Sequence, residues 1–151
     1  MPQLELYPIS LDPTANAAFE ADAGCREYLQ MTVDFFHKAG YEKPWVGYYA
    51  KLDGKFVASA AFKGPPKNNT VEIAYGTFEE ARGKGIGTMV CKALVDIAQQ
   101  TDPTIRITAR TLPEENASCS ILRKNNFILC GPVIDPEDGT VWEWEFWGCG
   151  V

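Results

Sequence analysis

The stretch Arg82-Gly83-Lys84-Gly85-Ile86-Gly87 is the part of the chain whose residue types and spacing point most directly to chemistry. Three alternating glycines lie between a strand-like segment and an amphipathic helical one. Such a turn leaves successive backbone N–H groups uncovered, with the positive end of a helix dipole behind them. That arrangement suits an anion. Arg82 and Lys84 add formal positive charge at the same point, which fits a diphosphate better than a carboxylate. Thr88 stands where a dinucleotide fingerprint requires glycine, and Gly85 stands where a Walker loop requires Ser or Thr after its lysine, so neither nucleotide motif fits. Taken alone, the turn also has a plain reading as a glycine-rich connection with no ligand.

Few other residues form constellations. The single histidine, His37, lies on a helical segment far from the glycine turn, and no Ser-His-Asp or Cys-His pairing supports a covalent nucleophile. The five cysteines (Cys25, Cys91, Cys119, Cys130, Cys149) are scattered and form no CxxC, so neither a zinc site nor a disulfide framework is expected. Reduced, mostly buried thiols and no metal are the expectation. Glu143 and Glu145 alternate with Trp142, Trp144 and Phe146, so a strand there directs both carboxylates to one face, as an amine-binding wall or as the wet face of an antiparallel strand.

The elements that must position these residues follow from punctuation and periodicity. Leu4, Leu6 and Ile9 read as a first strand. Asp12-Pro13 opens a helix over Thr14 to Asp22, and a second helical pattern runs from Cys25 to about Lys38, ending at Gly40. Val46 to Leu52 and Lys55 to Phe62, separated by Asp53-Gly54, form a hairpin. After a loop rich in Pro and Asn, Thr70 to Thr77 is a strand. Ile86, Met89, Val90, Ala93, Leu94 and Ile97 mark one stripe of a helix over Gly85 to Gln100. Thr104 to Arg110 is a strand, Asn116 to Asn125 a short helix, Phe127 to Cys130 a strand ending near Gly131-Pro132, and Thr140 to Trp147 the last strand. A single α/β domain over residues 1–151 with a mixed sheet is expected, since the strand-helix-strand crossover implies one parallel pair beside hairpins.

A net charge of -6 argues against a sequence-independent nucleic-acid partner, which needs clustered Lys and Arg. Met1 to Ser10 has no basic and apolar leader pattern, and no apolar run approaches bilayer length, so a cytoplasmic protein with no membrane partner is expected.

The turn Arg82-Gly83-Lys84-Gly85-Ile86-Gly87 resembles the R/Q-x-x-G-x-G/A signature of the GNAT superfamily of N-acetyltransferases. Val71 to Ala81 stands where that family places its central strand. Leu112-Pro113-Glu114-Glu115-Asn116-Ala117-Ser118, followed by Ile121 to Phe127, is similar to the second motif of its ribosomal-protein and aminoglycoside acetyltransferase branch. The resemblance implies a mostly antiparallel sheet flanked by helices, with a V-shaped splay between Val71-Thr77 and Thr104-Arg110. It also implies acetyl-CoA as co-substrate, its pyrophosphate on Gly83 to Thr88 beside Arg82, and its pantetheine arm along Tyr75, Gly76 and Thr77. Independently, a glycine inside a strand marks a bulge or the close approach of another backbone, and Gly76 sits there.

Attack of an amine on a thioester needs a neutral amine, an oriented carbonyl and a proton for the departing thiolate. In the resembling branch Glu72 takes the place of the base; its plain alternative is a solvent-facing strand residue. Asn116 and Ser118 cap the second helix or, as the resemblance implies, meet the carrier near its sulfur, with Ser118 protonating the thiolate. Glu115 fills the place where many relatives have the first asparagine, and Asn126 the place of a glycine, which asparagine replaces best where the backbone is left-handed. The resemblance places the aromatic set Tyr28, Phe35, Phe36, Tyr41, Trp45, Tyr48 and Tyr49 where the family builds its acceptor pocket; the plain alternative, commoner at helical spacing, is core packing. The expected acceptor is a small-molecule amine or a peptide N-terminus. Rival readings are a non-catalytic CoA-binding module and a homodimer that pairs through the Trp-rich last strand.

Overall fold

A computed structural model describes residues 3–148. Seven strands, Leu4–Pro8 (β1), Gly47–Leu52 (β2), Lys55–Phe62 (β3), Thr70–Thr77 (β4), Arg106–Thr111 (β5), Phe127–Asp135 (β6) and Gly139–Phe146 (β7), form one sheet in the order β1-β2-β3-β4-β5-β7-β6. Four α-helices accompany it among the described residues: Ala17–Glu20 (α1), Ala23–Ala39 (α2), Ile86–Thr101 (α3) and Ala117–Lys124 (α4). Only β4 and β5 pair in parallel, joined by the α3 crossover; every other neighbour is antiparallel. This is the mixed, mostly antiparallel α/β sheet expected.

Local chemistry sets most boundaries. The Asp22 carboxylate accepts from the Cys25 N–H at 3.1 Å and starts α2, and Asn116 Oδ1 accepts from the Cys119 N–H at 3.2 Å to start α4. Asp53 and Gly54 take φ of +51° and +84°, the left-handed pair whose twist matches a two-residue hairpin between β2 and β3. Asn126 adopts φ +67°, so the asparagine that replaces the usual glycine ends α4 in a left-handed conformation.

Two segments differ from expectation. The helix expected over Thr14 to Asp22 is a 3-10 turn, Pro13–Asn16, followed by the single turn of α1. The strand expected to stop near Gly131-Pro132 continues to Asp135. It does so because β6 is the outer strand and pairs with β7 alone, so Pro132 removes no needed ladder bond, and a register shift between Leu129 and Gly131 absorbs the irregularity.

The core lies between the sheet and α3, whose Ile86, Val90, Cys91, Leu94, Val95 and Ala98 pack with Val71, Ile73, Ile107 and Trp144. Trp144 is fully buried, and its indole N–H donates to Thr111 Oγ1 at 3.0 Å. A smaller cluster of Ile9, Phe19, Cys25, Leu29 and Tyr49 seals α1 and α2 against the opposite face.

The feature that positions a site is where strand pairing stops. β4 remains paired with β3 up to Thr77, but its register with β5 runs only from Thr70↔Arg106 to Ile73↔Ala109. β5 then follows β7 to Thr111↔Trp142. The two parallel strands part after Ile73 and Ala109, which opens the V between Val71-Thr77 and Thr104-Arg110. Beyond that point Ala74 to Thr77 have an edge with no strand partner.

Candidate functional site

The chain turns sharply at the mouth of the V. Gly83 and Gly85 hold φ of +82° and +75°, a region open to glycine and costly for other residues. A Cβ at either would meet nothing within 4 Å, so the glycines provide an open cradle and relieve no crowding. Gly87 has a different reason: a Cβ there would lie 2.7 Å from Ile121 Cδ1, so the close approach of α3 to α4 excludes a side chain. Gly85 is the N-cap of α3 and provides no side-chain cap, unlike Asp22 and Asn116. No turn or cap hydrogen bond among the described residues uses the N–H groups of Gly83 to Thr88. These free donors stand at the positive end of the α3 dipole.

A cleft of ≈ 590 Å³ opens on this turn, within the ~300–1,000 Å³ of small-molecule sites. Tyr75, Gly76 and Thr77 line it from β4. Arg82, Gly83, Gly85, Ile86, Gly87 and Thr88 line it from the turn, and Ser118 lines it from α4. Lys84 instead faces a neighbouring groove shared with Asp53, Lys55 and Glu80. Asn116 is engaged as the cap of α4 and is not part of the cleft wall. Ser120, Ile121 and Lys124, which sequence reading missed, also line it. The helical period starting at Ala117 carries that signal, because 117, 120, 121 and 124 share one face.

A second opening of ≈ 100 Å³ fills the V itself and is bounded by Ala74, Tyr75, Ala109, Arg110, Thr111 and Ser118, among others. Tyr75 and Ser118 belong to both openings. The glycine-turn cleft and the gap between β4 and β5 therefore adjoin at these two residues. Burial above all, and then the adjacent Cys91 thiol, pushes the Tyr75 phenol up, so it stands there neutral. Burial also pushes Cys91 up to about 12.

Glu72 lies outside both openings. It projects to the sheet face opposite α3, beside Lys63 Nζ at 3.4 Å and Arg110 Nε at 3.9 Å. On the same face Arg110 binds Asp135 at 2.8 Å and Glu143 at 3.3 Å, and Arg106 binds Glu145 at 2.7 Å. Glu143 and Glu145 do share a face, and each meets an arginine of β5. Asp135 is held down at about 2, first by the Glu137 backbone N–H and then by Arg110 and the Asp138 N–H. Arg110 also lines the gap in the V, so this charged face reaches the same point from the other side.

His37 is exposed on α2. Cys25, Cys91 and Cys119 are buried free thiols and Cys130 is an exposed one; Cys149 lies outside the described residues. No cluster of metal-ligating side chains occurs among the described residues, and none of their helices is long and apolar enough to cross a membrane.

Parted parallel strands with an uncapped glycine turn at their mouth form the architecture that the resemblance implies for an acetyltransferase. The chain belongs to that family: the Acetyltransferase (GNAT) domain model matches residues 7–128. No curated protein matches the sequence. Solved structures share the fold over nearly the whole chain. An acetyltransferase of the GNAT family from Streptococcus pneumoniae superposes with a TM-score of 0.66 at 13% identity, covering 95% of this chain and 98% of that one. The RimL ribosomal L7/L12 alpha-N-protein acetyltransferase in complex with coenzyme A gives 0.67 at 20% identity, covering 94% and 92%. Aminoglycoside acetyltransferase AAC(6')-Ib in complex with coenzyme A gives 0.64 at 18% identity, covering 96% and 94%.

Proposed function

We propose that the chain is an N-acetyltransferase that moves the acetyl group of acetyl-CoA onto a primary amine, in a small molecule or at a peptide N-terminus, by direct attack. The observation that carries this reading is the pair Tyr75 and Ser118, which line both the glycine-turn cleft and the gap between β4 and β5. A carrier anchored by its pyrophosphate at one end delivers its thioester to the other.

The residues present fit that carrier. The open cradle at Gly83 and Gly85 admits phosphate oxygens to the N–H groups of Gly83 to Thr88, and Arg82 and Lys124 add positive charge from two sides. Lys84 contributes from outside the cleft, through its charge alone. The unpaired edge of Ala74 to Thr77 accepts the amide-bearing pantetheine arm as an added strand. Asn116 acts by holding the first turn of α4, and with it Ser118, in place.

In the transfer the amine lone pair forms a C–N bond to the thioester carbonyl, the C–S bond breaks, and sulfur leaves with its electron pair. Glu72, two residues before Ala74 on the same strand face, receives the amine proton through water. Ser118 donates its hydroxyl proton to the thiolate and recovers one from solvent. The products are the acetylated amine and free CoA thiol, so no covalent enzyme intermediate is required.

Calorimetric titration with acetyl-CoA, followed by a free-thiol assay across a panel of amines, tests the reading. Micromolar binding and amine-dependent thiol release are expected. A folded Gly85→Glu variant, which places a carboxylate in the cradle, is expected to bind at least tenfold more weakly, and unchanged affinity in it would remove the glycine turn from the site.

A further inference from the structure

On the far side of β4 from the carrier cleft lies a second groove, of ≈ 260 Å³, between α2 and the β2-β3-β4 face. It shares Ala74 and Tyr75 with the gap in the V, so whatever fills it abuts the point where the two strands part. Tyr28 and Thr32 wall it from α2, Tyr49 and Ser59 from β2 and β3, and Ala61 and Ala74 form much of its base. The register that pairs Tyr49 with Ser59 and Ala61 with Ala74 puts these side chains on one face.

Charge is missing from this groove: no Asp, Glu, Lys or Arg lines it, in a chain of net charge -6. Most of its hydroxyls are also engaged. Tyr48 donates to the Pro44 carbonyl at 2.6 Å, Tyr49 to the Cys25 carbonyl at 2.7 Å, and Thr32 to the Tyr28 carbonyl at 3.1 Å. Ser59 Oγ and the half-exposed Tyr28 remain to meet a ligand. Outside, Met31 and Phe35 continue the Tyr28 side of α2 at helical spacing and are 67% and 39% exposed, which extends the apolar wall into solvent.

We infer that this groove holds the acceptor, and that the acceptor is a small monoamine with an aromatic or otherwise apolar body. The inference rests on the acetyltransferase reading and narrows it. A polyamine or an aminoglycoside carries several cations, each of which loses hydration on burial and needs a carboxylate that this groove does not provide. Tyrosine faces can hold one cation on arrival, and a second finds no partner. Size agrees, because the volume falls just below the ~300–1,000 Å³ of drug-sized sites, too small for a multi-ring aminoglycoside. With its body against Tyr28 and Tyr49, such an amine presents its nitrogen over Ala74. Glu72, next on that strand face, lies about 7 Å further along the strand, within reach through one water.

The test is a comparison of kcat/KM in the free-thiol assay for phenethylamine, n-hexylamine, spermidine and kanamycin, after calorimetry has shown that the preparation binds acetyl-CoA. Phenethylamine is expected to exceed spermidine and kanamycin at least tenfold. In Ala61→Glu, which fills the groove and adds a carboxylate, the phenethylamine KM is expected to rise at least tenfold while the acetyl-CoA KM stays within twofold. Spermidine or kanamycin turning over as well as phenethylamine, or an unchanged phenethylamine KM in Ala61→Glu, would overturn the acceptor assignment and leave the enzyme class intact. Acetyl-CoA binding with no thiol release for any amine would overturn the transferase reading and the acceptor with it.

Discussion

Ser118 sits on the first turn of α4, exposed, where the carrier cleft meets the gap between β4 and β5. Tyr75 lines the same junction, but its side chain packs against the core beside Cys91. A thiolate leaving in the gap therefore finds Ser118 as the hydroxyl that is free to move. Positioned proton donors contribute roughly 10²–10⁴-fold to such steps, so Ser118→Ala is expected to lower kcat by about that range. The acetyl-CoA KM should stay within a few-fold, because the proposed pyrophosphate cradle lies at the glycine turn and not at Ser118. Stopped-flow or steady-state thiol release separates the two parameters, and an equal loss in KM with kcat unchanged would make Ser118 a binding residue instead.

At the scale of elements, the turn between β6 and β7 holds the charged face together. Asp135 accepts from the N–H groups of Glu137 and Asp138 at 2.8 and 3.1 Å, and binds Arg110 at 2.8 Å. Its carboxyl is lowered to about 2, against roughly 3.9 for an unfolded aspartate. A depressed folded value contributes stability that is fully present above the unfolded value and disappears as pH falls through the folded one. The advantage of the wild type over Asp135→Asn should thus be constant above about pH 5 and shrink toward pH 2, read from urea midpoints by Trp fluorescence. Little of this cross-strand network was legible in the sequence. Alternation put Glu143 and Glu145 on one face, but their partners are fixed by the β5-β7 register, which periodicity does not encode. Element order was legible because punctuation such as Asp53-Gly54 acts locally. The extension of β6 through Pro132 was not, because a proline is tolerated only once the strand's edge position is known. The glycine turn was legible residue by residue, whereas Lys84 pointing away and Lys124 pointing in depend on how α3 and α4 pack.

For the whole molecule, the V divides the sheet into β1 to β4 and β5 to β7, joined by the short parallel register from Thr70 to Ile73 and by α3. A carrier in the cleft touches β4, the glycine turn and α4, and so adds contacts across that division. It binds only when both sides are in place, which makes it a ligand of the folded state alone. At a hundred times its Kd such a ligand stabilises by about 2.7 kcal/mol. For a chain of 151 residues each kcal/mol raises Tm by roughly 2–4 °C, so a shift of about 5–11 °C is expected in scanning calorimetry. The shift should fall to about half or less in Gly85→Glu at the same acetyl-CoA concentration, since tenfold weaker binding leaves about 1.4 kcal/mol. Hydrogen exchange locates the effect: amides of Ala74 to Thr77, which have no partner strand on the β5 side, should slow on binding, while those of β1 and β2 change little. A full Tm shift without protection at Ala74 to Thr77 would mean that the carrier is held at the turn alone, and that its thioester is not delivered through the V.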